Sequence, residues 1–171
     1  PFYRKFRNLL QSRPINPEDP YGPQIFENLG EGNSKGVEVL LKKQAGKDLT
    51  GWLAYTYLRA KAQSSSDREA VTPGVTQYVD WDQRHTAVMV LNYAKNRWTY
   101  SLVGEYGSGL PYGDVNSQRA PSHLAFDLNL AREVKGGWLA DGQIGLGIAN
   151  LFNVHAVLDR EELDPVGLGQ T

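Results

Sequence analysis

The sequence predicts an all-β fold, an antiparallel up-and-down meander of about seven long strands. Three observations carry that expectation. Apolar residues recur at every second position over long runs, whereas runs with helical i, i+3, i+4 spacing are few. The connections between those runs alternate between short and long. Large aromatics gather at the strand ends next to the short connections.

The first strand is expected over residues 2–10. The second carries Val37, Val39 and Leu41 against Glu38, Leu40 and Lys42. The third spans 49–62. Its apolar face is assigned to Trp52, Ala54, Thr56 and Leu58, because Arg59 and Lys61 share the opposite parity. The fourth places Ala87, Met89, Leu91 and Tyr93 against Thr86, Val88, Val90 and Asn92. The fifth, at 98–106, has Trp98, Tyr100, Leu102 and Tyr106 on one side and Thr99, Ser101, Val103 and Glu105 on the other. Leu124, Phe126, Leu128 and Leu130 alternate with Ala125, Asp127, Asn129 and Ala131 in the sixth. The seventh runs over 138–149, where Ile144, Leu146 and Ile148 alternate with Gln143, Gly145 and Gly147. Such alternation gives each strand one apolar and one polar or small face.

Segments 44–48, 95–97 and 133–137 are short and supply Gly, Asn and Asp, as tight hairpins require. Segments 11–23, 63–82 and 108–122, and everything after Asn153, are long and polar. All tight turns therefore fall at one end of the meander and all long loops at the other. Trp52, Trp98 and Trp138 each follow a short turn and form a row along that rim. Trp98 and Tyr106 share a face eight residues apart. At about 3.3 Å per residue that is roughly 26 Å along the strand, or about 20 Å along the normal after a ~40° tilt.

Composition bounds the rest. The chain has 171 residues, 18 Lys and Arg against 19 Asp and Glu, and no cysteine. Disulfides, thiolate metal sites and a cysteine nucleophile are excluded. The balanced charge gives no bulk electrostatic case for nucleic acid. Mean hydropathy is -0.47, and no apolar run approaches the ~18 residues of a membrane-spanning helix. Those averages fit a soluble antiparallel sandwich that binds a ligand through its loops. They fit equally a transmembrane barrel, whose apolar face is turned outward and whose lumen is wet. Strands above ten residues, short turns at one end only and a rim of tryptophans favour the barrel. Only closed strand pairing satisfies every backbone group in lipid.

Several motifs carry a family resemblance. Asn28-Leu29-Gly30 with Ser34-Lys35-Gly36-Val37-Glu38 resembles a strand-opening pattern of TonB-dependent outer-membrane receptors. So do Gly51-Trp52-Leu53-Ala54-Tyr55-Thr56-Tyr57, Trp81-Asp82-Gln83-Arg84-His85-Thr86 and Tyr106-Gly107-Ser108-Gly109-Leu110-Pro111-Tyr112. Asp127-Leu128-Asn129-Leu130 followed by Asn150-Leu151-Phe152-Asn153 is similar to the segment leading into that family's last strand. The matches run in family order over about residues 1–153. The resemblance implies a large barrel in the outer membrane of a Gram-negative-type bacterium. It also implies an N-terminal plug, energy coupling through TonB, and no enzymatic role. The cargo would be a scarce large solute such as a siderophore, metal complex, vitamin or oligosaccharide. Seven strands cannot close a 22-stranded barrel, so residues 1–171 are expected to be a partial barrel lacking the plug and the closing strand. A small stand-alone barrel, with an eighth strand after residue 153, is the other possibility.

Site expectations follow from the two faces and the loops. Trp52, Trp98, Trp138 and Tyr106 are assigned to an aromatic girdle. Glu38, Arg59, Glu105 and Asp127, with Lys61, are assigned to the lumen wall. Tyr78, Trp81 and Tyr112 are the loop aromatics available to an extracellular ligand. Gly30-Glu31-Gly32 with Gly36 misses the dinucleotide fingerprint and reads as a flexible strand opening; no cofactor is implied. Asp80, Asp82 and His85 are weighed as a metal site or as a solvated junction in which Asp82 pairs with Arg84 across an exposed rim.

Overall fold

The computed structural model describes residues 1–16, 18–19, 22–63, 76–113, 116–136 and 142–155. Among these described residues are ten strands: β1 (Phe2–Pro14), β2 (Gln24–Ala45), β3 (Leu49–Ala62), β4 (Gln77–Tyr78), β5 (His85–Lys95), β6 (Trp98–Gly107), β7 (Pro111–Tyr112), β8 (Gln118–Arg119), β9 (His123–Val134) and β10 (Gly142–Ile148). Seven of them form one antiparallel meander in the order β1-β2-β3-β5-β6-β9-β10, with β4 on the far end of β3 and β7–β8 a separate small hairpin. The expected seven-stranded meander is therefore observed.

The hairpins follow local chemistry. Lys95 pairs with Trp98, and the two linking residues, Asn96 and Arg97, have φ of 52° and 65°. Positive φ at both positions matches the right-handed strand twist, and Asn tolerates it well. Gly46 (φ 68°) opens the turn between β2 and β3.

Strand β2 is longer than the alternation of apolar residues suggests. Its first half pairs with β1 from Pro14↔Gln24 to Phe2↔Gly36. There the repeating residues are Gly30, Gly32, Ser34 and Gly36, all buried on one face. A Cβ at Gly36 would lie 2.1 Å from the Tyr57 carbonyl oxygen, and one at Gly32 would lie 2.9 Å from that of Lys61. Small residues here serve close approach within the sheet, which hydrophobic counting does not register.

Register sorts the side chains onto two faces. One row reads Leu41, Leu53, Met89, Gly104, Phe126; the next Leu91, Leu102, Leu128, Ile148; the next Leu49, Tyr93, Tyr100, Leu130, Leu146. These belong to a single apolar face. Aromatics bracket it. Tyr93, Tyr100 and Trp98 lie toward the short turns, with ring centroids 6.1 and 6.2 Å apart. Tyr55, Tyr57 and Tyr106 lie toward the long loops, where Tyr57 and His85 approach to 5.3 Å.

Nothing among the described residues covers this face. Leu41, Leu53, Leu91, Leu124, Ile144, Leu146 and Ile148 are all exposed, and among the described residues the only buried hydrophobics are Ala60, Ala62 and Ala120. A soluble sandwich would bury one face under a second sheet. Here one sheet carries an uncovered apolar band, and β1 and β10 are its edges.

The third strand corrects the sequence reading. Leu53 pairs with Leu41 and Met89, and Tyr55 with Val39 and Ala87, so the apolar parity of β3 is Leu49, Leu53, Tyr55 and Tyr57. Trp52 pairs with Lys42 and Val90 on the opposite face and shares no girdle with Trp98. Arg59 and Lys61 lie on the apolar parity, not with Glu38, Glu105 and Asp127. The reason is strand length: β3 continues past the last apolar row, so cations there do not mark a polar face. Trp138 lies outside the described residues.

Candidate functional site

At the long-loop end, residues 77–84 bind the far end of β3 through a bulge. Lys61↔Tyr78 and Ala62↔Gln77 pair regularly on one side of it, and Tyr57↔His85 on the other. Between them the Arg84 carbonyl accepts from the Leu58 N–H at 3.0 Å and the Ala60 carbonyl accepts from the Val79 N–H at 3.3 Å. The Ala60 N–H would then lack a strand partner. It donates instead to Asp82 Oδ1 at 2.5 Å. A carboxylate thus replaces the missing ladder acceptor, as buried backbone donors require.

Asp82 is fully buried, and its other oxygen is also committed. Oδ2 accepts from Arg84 Nη2 at 3.0 Å and from Arg119 Nη2. Arg119 Nη1 donates to the Asp82 carbonyl at 2.7 Å and to the Gly109 carbonyl at 3.3 Å. One guanidinium therefore fastens the β3–β5 loop to the β6–β9 loop. Asp82 and Arg84 do pair, but in a buried knot and not at an exposed rim.

Glycines allow the second loop to close in. A Cβ on Gly109 would lie 1.6 Å from the Ala120 carbonyl oxygen, and one on Gly107 would lie 2.4 Å from the His123 ring. Asn116, with φ of 55°, donates through Nδ2 to the Tyr78 carbonyl at 2.7 Å and to Asp80 Oδ1 at 2.6 Å. His85 is held by its backbone: its N–H donates to Ser108 Oγ at 2.9 Å, and its ring meets the Tyr55 hydroxyl at 2.8 Å.

Tyr78 sits among cations. Lys61 Nζ and Arg84 Cζ lie 4.6 and 4.7 Å from its ring centroid, with Arg119 and Arg59 at 5.4 and 5.6 Å. Arg59 Nη2 also donates to its hydroxyl at 2.9 Å. Burial raises the phenol's pKa. Hydrogen bonds from Arg59 and Arg84 and the charges of Lys61 and Arg59 outweigh that and leave it lowered. Arg84 is raised: burial works against its charge, and the bond and charge of Asp82 more than compensate.

The residues weighed as metal ligands are not brought together. Asp80 engages Asn116, Asp82 engages Ala60, Arg84 and Arg119, and His85 engages Tyr55. Of the loop aromatics, Tyr78 is half-buried in its cation cage, Tyr112 is half-buried on β7, and Trp81 is 57% exposed. Glu38, Glu105 and Asp127 share one face of the sheet, since Glu38 pairs with Thr56, Glu105 with Val88 and Ala125, and Asp127 with Val103. Asp127 has a local duty too: Oδ1 accepts from the Asn150 N–H at 2.7 Å and holds the turn after β10.

Sequence reasoning reaches the Asp82–Arg84 pair but misses its burial and the Arg119 and Ala60 contacts that make it a knot. Its signal was an Asp-x-Arg triplet beside a strand whose alternation breaks off, with Arg119 supplied from another loop. Comparison with known proteins completes the picture. No curated protein and no solved structure is detectably similar to the chain. A family model described as TonB dependent receptor-like, beta-barrel, matches residues 2–151. With an uncovered apolar band, aromatic rows at both its ends and the large loops gathered at one end, the chain belongs to the TonB-dependent receptor β-barrel family.

Proposed function

We propose that this chain forms part of an outer-membrane barrel that takes up a scarce large solute, a siderophore, metal complex, vitamin or oligosaccharide, with energy supplied through TonB. The observation that carries this reading is the bracketed apolar band. From Trp98 to Tyr106 it spans roughly 26 Å along β6, or about 20 Å along the normal at a ~40° tilt, close to the ~25 Å band of such barrels. The free edges of β1 and β10 call for further strands, because unpaired backbone cannot face lipid. A plug domain inside the completed barrel follows from the family.

In this reading the face bearing Glu38, Glu105 and Asp127 lines the solute path. Trp81 is the loop aromatic open to a ligand, whereas the ring of Tyr78 is spent on its cations. The knot around Asp82 keeps two capture loops in fixed relation, so that binding need not order them anew. The test is uptake by cells with and without the gene, across a panel of iron–siderophore, cobalamin and oligosaccharide solutes. One solute should lose its uptake in the deletion strain and when a protonophore collapses the energy supply. Full uptake of every solute by the deletion strain, with the protein in the soluble fraction of wild-type cells, would contradict the reading.

A further inference from the structure

The three short turns gather positive charge. Among the described residues, segments 42–50, 94–99 and 131–136 hold seven of the chain's 18 lysines and arginines: Lys42, Lys43, Lys47, Lys95, Arg97, Arg132 and Lys135. They hold two of its 19 acidic residues, Asp48 and Glu133. This end therefore carries +5 in a chain whose net charge is -1. All nine residues are exposed. The ion pairs of the described residues lie elsewhere, between Lys5 and Glu31 and from Arg84 and Arg119 to Asp82. Arg132 rests its charge on the Trp98 ring, with Cζ 5.0 Å from the centroid.

The row has a fixed spacing. The turns join neighbouring strands of one sheet, in the order β2-β3-β5-β6-β9-β10. Lys47, Arg97 and Lys135 stand one on each turn, so successive tips are two strands, about 10 Å, apart. Backbone bonds fasten the turns side by side: the Ala94 N–H donates to the Asp48 carbonyl at 2.8 Å, and the Glu133 N–H donates to the Arg97 carbonyl at 2.9 Å. Cations about one screening length apart repel one another, and a bound polyanion would relieve that repulsion.

Three observations say what meets them. The cations do not share one face: Lys43, Lys95 and Arg132 lie on the apolar parity, Lys42 lies opposite with Trp52, and Lys47, Arg97 and Lys135 lie in the turns. A bilayer would meet only the first three. The tips set Gly46, Asn96 and Gly136 beside their cations and offer no apolar anchor, which the core of a folded-protein interface needs. Single charges at a regular interval suit a linear polyanion better than one compact anion. Short turns of an outer-membrane barrel face the periplasm, and the extended polyanion on that side is the cell wall. We propose that Lys47, Arg97 and Lys135 form a docking rim for peptidoglycan, held through the free carboxylates of its stem peptides. This rests on the membrane-facing reading of the apolar band.

The experiment co-sediments intact receptor, in neutral detergent, with purified peptidoglycan sacculi. The further probes are protease-treated sacculi, sacculi with amidated carboxyl groups, and phosphatidylglycerol vesicles. The proteins are wild type, the triple variant K47Q/R97Q/K135Q, the charge-keeping variant K47R/R97K/K135R, and R4Q/R7Q, which removes two cations from β1. At the usual strength of exposed ion pairs, the triple variant should bind sacculi at least about tenfold more weakly. The charge-keeping variant and R4Q/R7Q should stay within about threefold of wild type by the same reasoning. Wild type should lose amidated sacculi, keep protease-treated ones, and release native ones in about 1 M salt, where the screening length falls to about 3 Å. Equal binding of native and amidated sacculi by wild type would overturn the proposal without recourse to any variant. Equal affinity of wild type and triple variant for native sacculi would overturn it too. Binding lost on protease treatment would overturn it and assign the rim to a protein. A triple variant that loses the vesicles but keeps the sacculi would overturn it and assign the rim to the bilayer. Wild-type receptor missing from the outer-membrane fraction of cells would overturn the membrane-facing reading itself. Receptor present there, with a triple variant that keeps its sacculi, would overturn the rim alone.

Discussion

Asp82 offers the most quantitative test of how the loops are held. Asp82→Ala removes both carboxylate oxygens from a fully buried position. The Ala60 N–H loses its acceptor, and Arg84 and Arg119 lose their shared counter-charge. Breaking a buried ion pair by removing one partner costs about 3–5 kcal/mol. The orphaned backbone donor belongs to the same opening, so a total of about 4–5 kcal/mol is expected rather than a larger sum. Asp82→Asn keeps an oxygen for Ala60 but turns an amide group toward two guanidinium groups, and about 3 kcal/mol is expected. Each 1.4 kcal/mol is tenfold, so local opening should become about a hundredfold more frequent in the Asn variant and over a thousandfold in the Ala variant. Hydrogen exchange in the intact receptor reads this directly. Protection should fall in residues 76–84, 109–113 and 116–120 and stay constant in β5 and β6. Adding Arg119→Gln to Asp82→Asn should cost far less than the sum of the two single changes. If Asp82→Ala exchanges in both loops within about threefold of wild type, the carboxylate does not hold them and the reasoning fails.

Other expectations are separable from that one. Gly109→Ala places a methyl against the Ala120 carbonyl; a backbone atom cannot give way cheaply, so a loss of at least about 1–3 kcal/mol in loop stability is expected from hydrogen exchange. Leu128→Arg, in the middle of the apolar band, should destabilise the receptor in bilayers by about 2–4 kcal/mol in an unfolding titration. Asp127→Leu, one residue away on the other face, should cost only about 1 kcal/mol, for the lost bond to the Asn150 N–H. Tyr78 should ionise below the ordinary value of 10.0 because its cations outweigh its burial. Its stabilising effect is then complete above that ordinary value and is lost as pH falls through the lower folded value. Ultraviolet difference titration should show one early tyrosine that disappears in Tyr78→Phe, and a late tyrosine in its place would refute the cage.

The fold was legible where one physical pattern dominated. In β5, β6 and β9, alternation and register agree, because Met89, Leu91 and Tyr93, then Trp98, Tyr100 and Leu102, then Leu124, Phe126, Leu128 and Leu130 each recur at alternate positions and pair onto one face. Legibility failed where a strand outruns the apolar band. On β3 the cations Arg59 and Lys61 share the parity of Leu53 and Tyr55, so their charge disguises the apolar face and the sequence points to Trp52 instead. On β2 the segment of Gly30, Gly32, Ser34 and Gly36 lacks apolar residues, yet its small side chains are what let β1 and β3 lie close. The knot was half legible. Asp82 with Arg84 is a visible pair, but Arg119 joins them from 37 positions away, and no local spacing announces a carboxylate that stands in for a strand. The lumen and ligand residues depend on the completed barrel, which alternation within one sheet does not determine.

The central claim is that the face of Leu53, Leu102 and Leu128 meets lipid. The chain has no cysteine, so single cysteines can be introduced without background. The intact receptor in bilayers should be labelled, one site at a time, at Leu53, Leu102 and Leu128 and at their neighbours Ala54, Ser101 and Asp127, with a polarity-sensitive fluorophore. Quenching by acyl-chain nitroxide lipids should be strong at the three leucine positions and weak at the three neighbours. Equal quenching on both parities, or stronger quenching at Ala54, Ser101 and Asp127, would contradict the account.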